Sequence, residues 1–427
     1  MQEASKKEAK RIGFAMVGGL VIGLAIHALG QGEWVSYVKP LGDIFIRLLK
    51  MVIVPLVFSS IFMSMTNLGT PEALGSMGRK AVAYYFMTTV IAVLFGLILV
   101  NIINPGVGAD LGTAGLQALE GDMAVAVSEK KGLYETILGV LINSVPTNPA
   151  EALAGANILQ IIVFAIFMGI VALYTKEKAK PVVALMEGLE EMTLKLTHGI
   201  MRFAPIGIFV LMMDVMAKSG TDAIISLSKY ILTVVVGLTC HAIFLLFVAS
   251  VRLKQSPLYI IKGVSAPLLT AFSTSSSAAT LPITMTAVEE NLGVRKDTAK
   301  FVLPLGATIN MDGTALYESV AAIFIAQAYS IHLTIGQQVV IFMTASLAAI
   351  GAAAIPGAGL ITMSIVLGAV GLPLEGIGLI LAVDRLLDMF RTTVNVFGDA
   401  VGTIVVDSFL KTDEIGQKEE VNQELTN

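Results

Sequence analysis

The chain has 427 residues, of which 55% are hydrophobic and only 14% charged, with a formal net charge of −4. Soluble domains carry about 25% charge, so this composition excludes an ordinary soluble enzyme and points to a polytopic membrane protein. The charge gives no reason to expect nucleic acid as a partner, and the one cysteine, Cys240, excludes an internal disulfide.

Taken in order, the chain opens on a charged amphipathic lead-in, Met1 to Arg11. The apolar run behind it lacks a clear cleavage site, so a cleavable signal peptide is not expected. Apolar runs predict spans at about 12–30, 42–67, 81–104, 152–174, 197–217 and 226–251. Beyond them the pattern changes. Segments 257–290 and 336–371 are apolar but broken in the middle, and each precedes a long span, 298–328 and 376–408. Lysines and arginines mark one side of the membrane. Lys6, Lys7, Lys10 and Arg11 precede the first span, and Arg79 and Lys80 follow the second. Lys176, Lys178 and Lys180 follow the fourth, and Arg252, Lys254 and Lys262 the sixth. All are cytoplasmic if both termini are inside, which needs an even number of full spans. Eight fit, provided the two broken segments are re-entrant hairpins, the first entering from the cytoplasm and the second from outside. The fold class is thus an all-α polytopic membrane protein with eight transmembrane helices and two re-entrant helical hairpins. Segment 105–135 reads as an exposed outside linker, and Lys411 to Asn427 as a disordered tail.

The last span carries Asp384, Asp388, Arg391, Asn395 and Asp399. At about 100° per residue they fall within an arc of roughly 80° on one helix face. Ionisable groups at the centre of a spanning helix cost about 2.5–3.5 kcal/mol each and persist where they face protein, water or a ligand.

Three breaks accompany that face: Ser273 to Pro282, Ala352 to Gly359, and Gly306 to Thr314. Small residues, glycine and proline free backbone groups that are tolerated at membrane depth where they line a cavity or meet a ligand. Either hairpin break alone reads as readily as a kink in an ordinary span. Their order argues otherwise. Ser276 precedes Asn310, and Gly357 precedes Asn395, at similar spacing and from opposite sides of the membrane. That is the pattern of inverted repeats around a midplane site. In the third break Asn310, Asp312 and Thr314 supply oxygens, and Gly313 permits an unwound turn. Such a set suits a small hard cation.

The chain resembles the dicarboxylate/amino-acid:cation symporters, the family of glutamate and aspartate transporters. The resemblance covers roughly 12–408 and rests on Ser275 to Ser277, Asn310 to Thr314, Pro356 to Gly359, and the run from Asp388 through Arg391, Thr392 and Asn395 to Asp399. Met51 to Pro55 and Val145 to Pro149 also match. It implies a homotrimer with an elevator mechanism in the cell membrane, the inner membrane of a bacterium. Residues 1–80 and 105–218 form the scaffold, 81–104 and 226–410 the moving transport domain, and 411–427 the tail. By the same resemblance, Arg391 pairs with the substrate side-chain carboxylate and Asp388 holds its ammonium. Met311, Thr314, Thr392 and Asn395 complete the shell. Ser275, Ser276 and Ser277 close over the ligand with Pro356, Gly357, Ala358 and Gly359. One cation site uses carbonyls of Gly306, Asn310 and Asn395 with the Asp399 carboxylate. A second uses Thr308 with Ser346, Ile350 and Gly351. A third uses Tyr85, Thr88, Thr89, Asn310 and Asp312. The archaeal aspartate transporters carry an arginine where this chain has Ser275, and here an extra arginine, Arg385, lies on the last span.

The residues have plainer readings beside these. Arg391 presents a planar fork for a carboxylate, or a salt bridge within its own helix. Asp384 reads as a structural partner of Arg385. Tyr85 is equally a packed aromatic. His27, His198, His241 and His332 are scattered and read as packing or interface residues. An intramembrane hydrolase would use Ser276 or Ser277, but no histidine, lysine or close carboxylate in the hairpin serves as base. A channel explains polar breaks but not a fork beside an acid suited to an ammonium. The expected function is therefore symport of an acidic amino acid with sodium, with membrane lipid as the surrounding partner. Proton-coupled glutamate or C4-dicarboxylate symport is the alternative, because buried Asp312 and Asp399 can also titrate.

Overall fold

The structure is a computed structural model that describes residues 2–68, 71–108, 138–139, 141–350 and 358–426. The described residues are helical and contain no strand. The helices are α1 Gln2–Ala28, α2 Lys39–Leu68, α3 Pro71–Ile103, α4 Pro149–Ala154, α5 Ile158–Thr175, α6 Lys180–Met201 and α7 Ala204–Leu253. They continue as α8 Pro257–Thr274, α9 Ser277–Thr286, α10 Lys296–Ile309, α11 Asp312–Ala328, α12 Ile335–Ile350, α13 Ala358–Ala369 and α14 Ile377–Thr426.

Among the described residues, four stretches are long and apolar enough to cross a membrane: Gly75–Ile103, Ile158–Thr197, Ile225–Leu253 and Val383–Leu410. Val17–Ala28, Met51–Asn67, Ala204–Ala217 and Ile335–Ile350 are shorter apolar helices. The most apolar window of Val383–Leu410 is 78% buried, against 33–39% for the other three. The ionic helix is thus the interior one, and α3, α7, α8, α10 and α11 pack around it. The polar face predicted for it is covered by protein, which removes the cost of exposing charge to hydrocarbon.

The breaks fall where glycine, serine and proline place them. Gly75 (φ 56°) interrupts α3, and Gly220 (φ 56°) interrupts α7 between the spans expected at 197–217 and 226–251. Ser275 is left-handed (φ 52°) and ends α8; the Ser276 side chain accepts from Ala279 N at 3.2 Å and caps α9. Asn310 is extended and Met311 is also non-helical, so the long span expected at 298–328 is two helices, α10 and α11. Helices α8 and α9 pack on each other, as do α12 and α13.

Two stretches differ from the sequence expectation. Residues 180–201 form one continuous amphipathic helix, where a span was expected only from 197. Helix α14 runs on to Thr426, through a tail whose composition reads as disordered. That tail lacks proline, and Glu414 and Lys418 stand at the i,i+4 spacing that supports a helix.

Candidate substrate and cation site

The site is assembled on α14. Arg391 is fully buried. Its Nη2 donates to Asp388 Oδ1 at 2.9 Å, and its Nη1 lies 3.1 Å from Asp384 Oδ1. The guanidinium carbon sits 3.9 Å from the centre of the Tyr317 ring, and Tyr317 Oη donates to Asp384 Oδ1 at 2.9 Å. Asp384 therefore pairs with Arg391 and Tyr317 rather than with Arg385 as expected. The Arg385 guanidinium is 3.7 Å from Asp388 instead. The i,i+3 spacing from Asp388 to Arg391 brings the first pair together; the second crosses two helical turns because the long arginine side chain reaches back along the axis. Arg391 Nε has no hydrogen-bond acceptor among the described residues, and Nη1 meets Asp384 as an ion pair without an aligned hydrogen bond. Buried donors of this kind fit an incoming carboxylate.

Gly359, at the start of α13, lies against this fork. A Cβ there would come within 2.7 Å of Arg391 Nη1 and 2.9 Å of its Cζ. The end of the second break thus packs directly against Arg391 at Gly359. Gly351, Pro356 and Gly357 lie outside the described residues, as does the Ala358 side chain. At the first break Ser275 and Ser277 are buried, and Ser275 Oγ has no hydrogen-bond partner among the described residues. Met311, Thr314 and Thr392 are buried. Asn395 Nδ2 donates to Thr314 Oγ1 at 3.3 Å, and its Oδ1 accepts from Gly313 N at 2.8 Å. Asn395 so ties the extended Asn310–Met311 break to the ionic helix.

One turn further along α14 is a second cluster. Asp399 Oδ1 accepts from Asn310 Nδ2 at 2.9 Å, and the same nitrogen lies 3.5 Å from the Asn395 carbonyl. Asn310 Oδ1 has no donor among the described residues. A buried acceptor beside a buried carboxylate and main-chain carbonyls fits a small cation. Gly306 lets the chains meet: a Cβ there would lie 2.5 Å from Tyr85 Oη and 2.6 Å from Asp399 Oδ1. Tyr85 Oη donates to Val302 O at 3.1 Å and Thr88 Oγ1 to Tyr85 O at 3.1 Å.

A third cluster centres on Asp312, whose Oδ1 accepts from Thr89 Oγ1 at 2.7 Å. His241 Nε2 is 2.9 Å from Asp312 Oδ2, with both groups fully buried. His241 was expected to be packing; it is a direct partner of this carboxylate. Thr308 stands apart, its hydroxyl donating to Leu305 O at 2.7 Å in its own helix. Ser346 likewise donates to Phe342 O at 2.8 Å. Ser346 and Ile350 line a cavity of about 120 Å³ with Tyr85 and Thr89, closed by Met65, Val82, Phe86 and Ile309.

The sequence reading passed over Tyr317 and Glu318. Glu318 is fully buried, one turn after Thr314, with the Thr362 hydroxyl beside its carboxyl group. An ionisable residue inside an apolar helix was the signal that could have found it.

The family model described as "Sodium:dicarboxylate symporter family" matches residues 9–409. An excitatory amino acid transporter of Caenorhabditis elegans is 37% identical over 447 residues, covering 93% of this chain and 86% of that protein. A proton/sodium-glutamate symport protein of Geobacillus stearothermophilus is 33% identical over 393 residues, covering 92% of each. A proton/glutamate-aspartate symporter of Escherichia coli K12 is 34% identical over 405 residues, covering 93% of this chain and 92% of that protein. A match over nearly its whole length shows that this chain belongs to the sodium:dicarboxylate symporter family.

Proposed function

We propose that the protein is a secondary active symporter that carries an acidic amino acid, aspartate or glutamate, into the cell with sodium. The observation that carries this is the buried Arg391 fork, set between two acids, with donors left over. The substrate side-chain carboxylate takes those donors, while Asp388 turns from Arg391 to the substrate ammonium. Thr314 and Asn395 hold the remaining polar atoms, with Met311 and Thr392 beside them. Backbone of Ser275 to Ser277 and of Pro356 to Gly359 covers the ligand. Sodium ions travel at Asp399 with Asn310, Gly306 and Asn395, at Asp312 with Thr89, Thr88 and Tyr85, and at Thr308 with the end of α12. A C4-dicarboxylate lacks the ammonium that Asp388 fits.

Proton coupling is the second reading. It is favoured by Glu318, a fully buried carboxyl beside the neutral Thr362 hydroxyl, because a carboxylate held in such a place without a close cation is costly.

The architecture that serves this function has eight spans, re-entrant hairpins at α8–α9 and α12–α13, and both termini in the cytoplasm of a bilayer-embedded chain. Helices α1, α2, α4, α5, α6 and the first part of α7, before its interruption at Gly220, belong to a trimeric scaffold, past which the rest slides. Helix α6 supports the trimer. Val182, Leu185, Leu189, Met192 and Leu196 recur at heptad spacing. Leu185 is 64% and Met192 71% exposed in the single chain. Glu191 and Lys195 pair at 2.6 Å among them, a setting that suits a neighbouring protein better than lipid tails. Uptake into liposomes, with sodium, pH and potassium gradients imposed separately, tests the reading. Accumulation of aspartate or glutamate driven by sodium alone is expected. Accumulation driven only by a pH gradient transfers the function to the proton reading, and no accumulation under any gradient overturns both.

A further inference from the structure

Helix α1 and the first part of α7 run in the same direction and meet at matched four-residue steps. A Cβ at Gly19 would lie 2.5 Å from Phe209 O, and one at Gly23 would lie 2.7 Å from Met213 O. Glycines in such close contact fix two helices against each other within a membrane. The next step on the same face of α1 is His27, and the next on α7 is Ala217. There the side chain is an imidazole, and its Nδ1 donates to Ala217 O at 2.9 Å. A carbonyl only accepts, so Nδ1 carries the proton. Three residues further on, Gly220 interrupts α7 with φ 56°. A Cβ at Gly220 would lie 2.7 Å from His27 Nε2 and 2.9 Å from its Cδ2. The ring therefore holds the last turn before the interruption and covers the interruption itself.

We propose that His27 is a positioning residue for transport, which confines the turning of α7 to Gly220. The proposal rests on the division of α7 at Gly220 into a fixed scaffold part and a moving part. Glycine enters left-handed backbone without a clash and turns about φ and ψ more freely than other residues. Rotation taken up at Gly220 therefore meets little resistance. The same rotation spread back to Ala217 and its neighbours distorts helical residues and stretches their ladder hydrogen bonds. His27 opposes that spread, because its hydrogen bond ties the Ala217 carbonyl to α1. The moving part then turns against a fixed end, as a hinge residue far from the chemistry requires. His27 touches neither the proposed substrate site nor the cation sites, so turnover depends on it and binding does not.

The test compares the full-length protein with His27→Ala, His27→Asn, His27→Gln and Gly220→Ala. Aspartate uptake into liposomes gives turnover per binding site, and calorimetric titration of the purified chain gives aspartate and sodium affinities. A hydrogen bond of ordinary net strength corresponds to a factor of about two to ten. His27→Ala is expected to lower turnover per site by that factor, with both affinities unchanged. The asparagine amide nitrogen takes the place of Nδ1, so His27→Asn is expected to stay near the parent. The glutamine amide nitrogen takes the place of Nε2 and leaves Ala217 O without this donor. His27→Gln is therefore expected to match the alanine variant, and it serves if that one does not fold. A merely structural role lowers the thermal midpoint and the number of binding sites, with turnover per site unchanged in every variant. That result overturns the proposal. So does an asparagine variant as slow as alanine, or an aspartate affinity that falls together with turnover. Gly220→Ala puts a side chain on left-handed backbone and against the ring, and it is expected to slow turnover as well. Unchanged turnover in Gly220→Ala overturns the division of α7, and this proposal with it. A parent that accumulates no aspartate under any gradient overturns the symport reading itself, on which both depend.

Discussion

At the residue scale, Arg391 is balanced between its own acids and the ligand. Its partners Asp384 and Asp388 are both buried. Arg391→Ala leaves the Asp384 carboxylate without its cation and Asp388 with only the partly exposed Arg385, a change that costs about 3–5 kcal/mol for a fully buried pair. Acidic substrate uptake is expected to vanish, while sodium binding at Asp399 survives in the protein that folds. Arg391→Lys keeps the charge but not the fork. It is expected to weaken aspartate binding at least about tenfold, the equivalent of one charge-assisted hydrogen bond. Aspartate affinity that is unchanged in the lysine variant would remove Arg391 from the site. Asp399→Asn keeps size and one carbonyl oxygen but loses charge. Sodium binding is expected to weaken, and by linkage so is substrate binding at fixed sodium. A sodium dependence identical to the parent would show that Asp399 is not a ligand.

At the element scale, what holds α14 in place decides whether these residues meet. Gly359 brings α13 against the Arg391 fork, where even one carbon atom has no room. Gly359→Ala is expected to lower acidic substrate affinity with little change in sodium binding to the substrate-free protein. Calorimetric titration with aspartate and with sodium separates the two. At the far end, Arg295 Nε donates to Asp407 Oδ1 at 2.7 Å and Thr298 Oγ1 to the same oxygen at 3.0 Å, which ties α10 to α14. Arg295 is 35% exposed, so Asp407→Ala is expected to cost only about 1–2 kcal/mol, read as a lower thermal midpoint.

Much of this scale is legible in the sequence. Serine, proline and glycine break helices by local rules, so the interruptions at Ser275 and at Asn310–Met311 fall within the expected stretches. The ionic face is legible because its spacing follows the helix period. Partner choice is not. The Arg391 salt bridges within its own helix follow its spacing, but Tyr317 reaches Asp384 and Arg391 from another helix, and His241 reaches Asp312 across 71 residues of chain. No spacing rule encodes contacts set by how helices pack. Glu318 differs: a lone acid one turn after Thr314 belongs to no periodic polar face, so the helix pattern gives it no partner.

At the scale of the whole molecule, the open question is what covers α6. Its exposed apolar residues keep coiled-coil spacing, yet Glu187 and Glu191 stand among them. Lipid tails solvate the leucines but not the acids, and water does the reverse. A second copy of the same helix satisfies both, since apolar seams interlock while flanking charges pair or reach the interface. The proposed trimer places that seam at its centre. A cysteine at Leu185 or Met192, in a Cys240→Ser background, is then close to its symmetry mate. Mild oxidation in membranes is expected to give covalently linked chains at these two positions. A cysteine at Leu269 of α8, 71% exposed but in the proposed moving domain, is expected to give none. If the α6 positions fail to link while Leu269 links, the seam faces lipid and the copies meet elsewhere. If neither links, native mass spectrometry of the detergent-extracted protein decides whether a trimer exists at all. A monomer there would remove the scaffold from the mechanism, because an elevator needs a part that stays still.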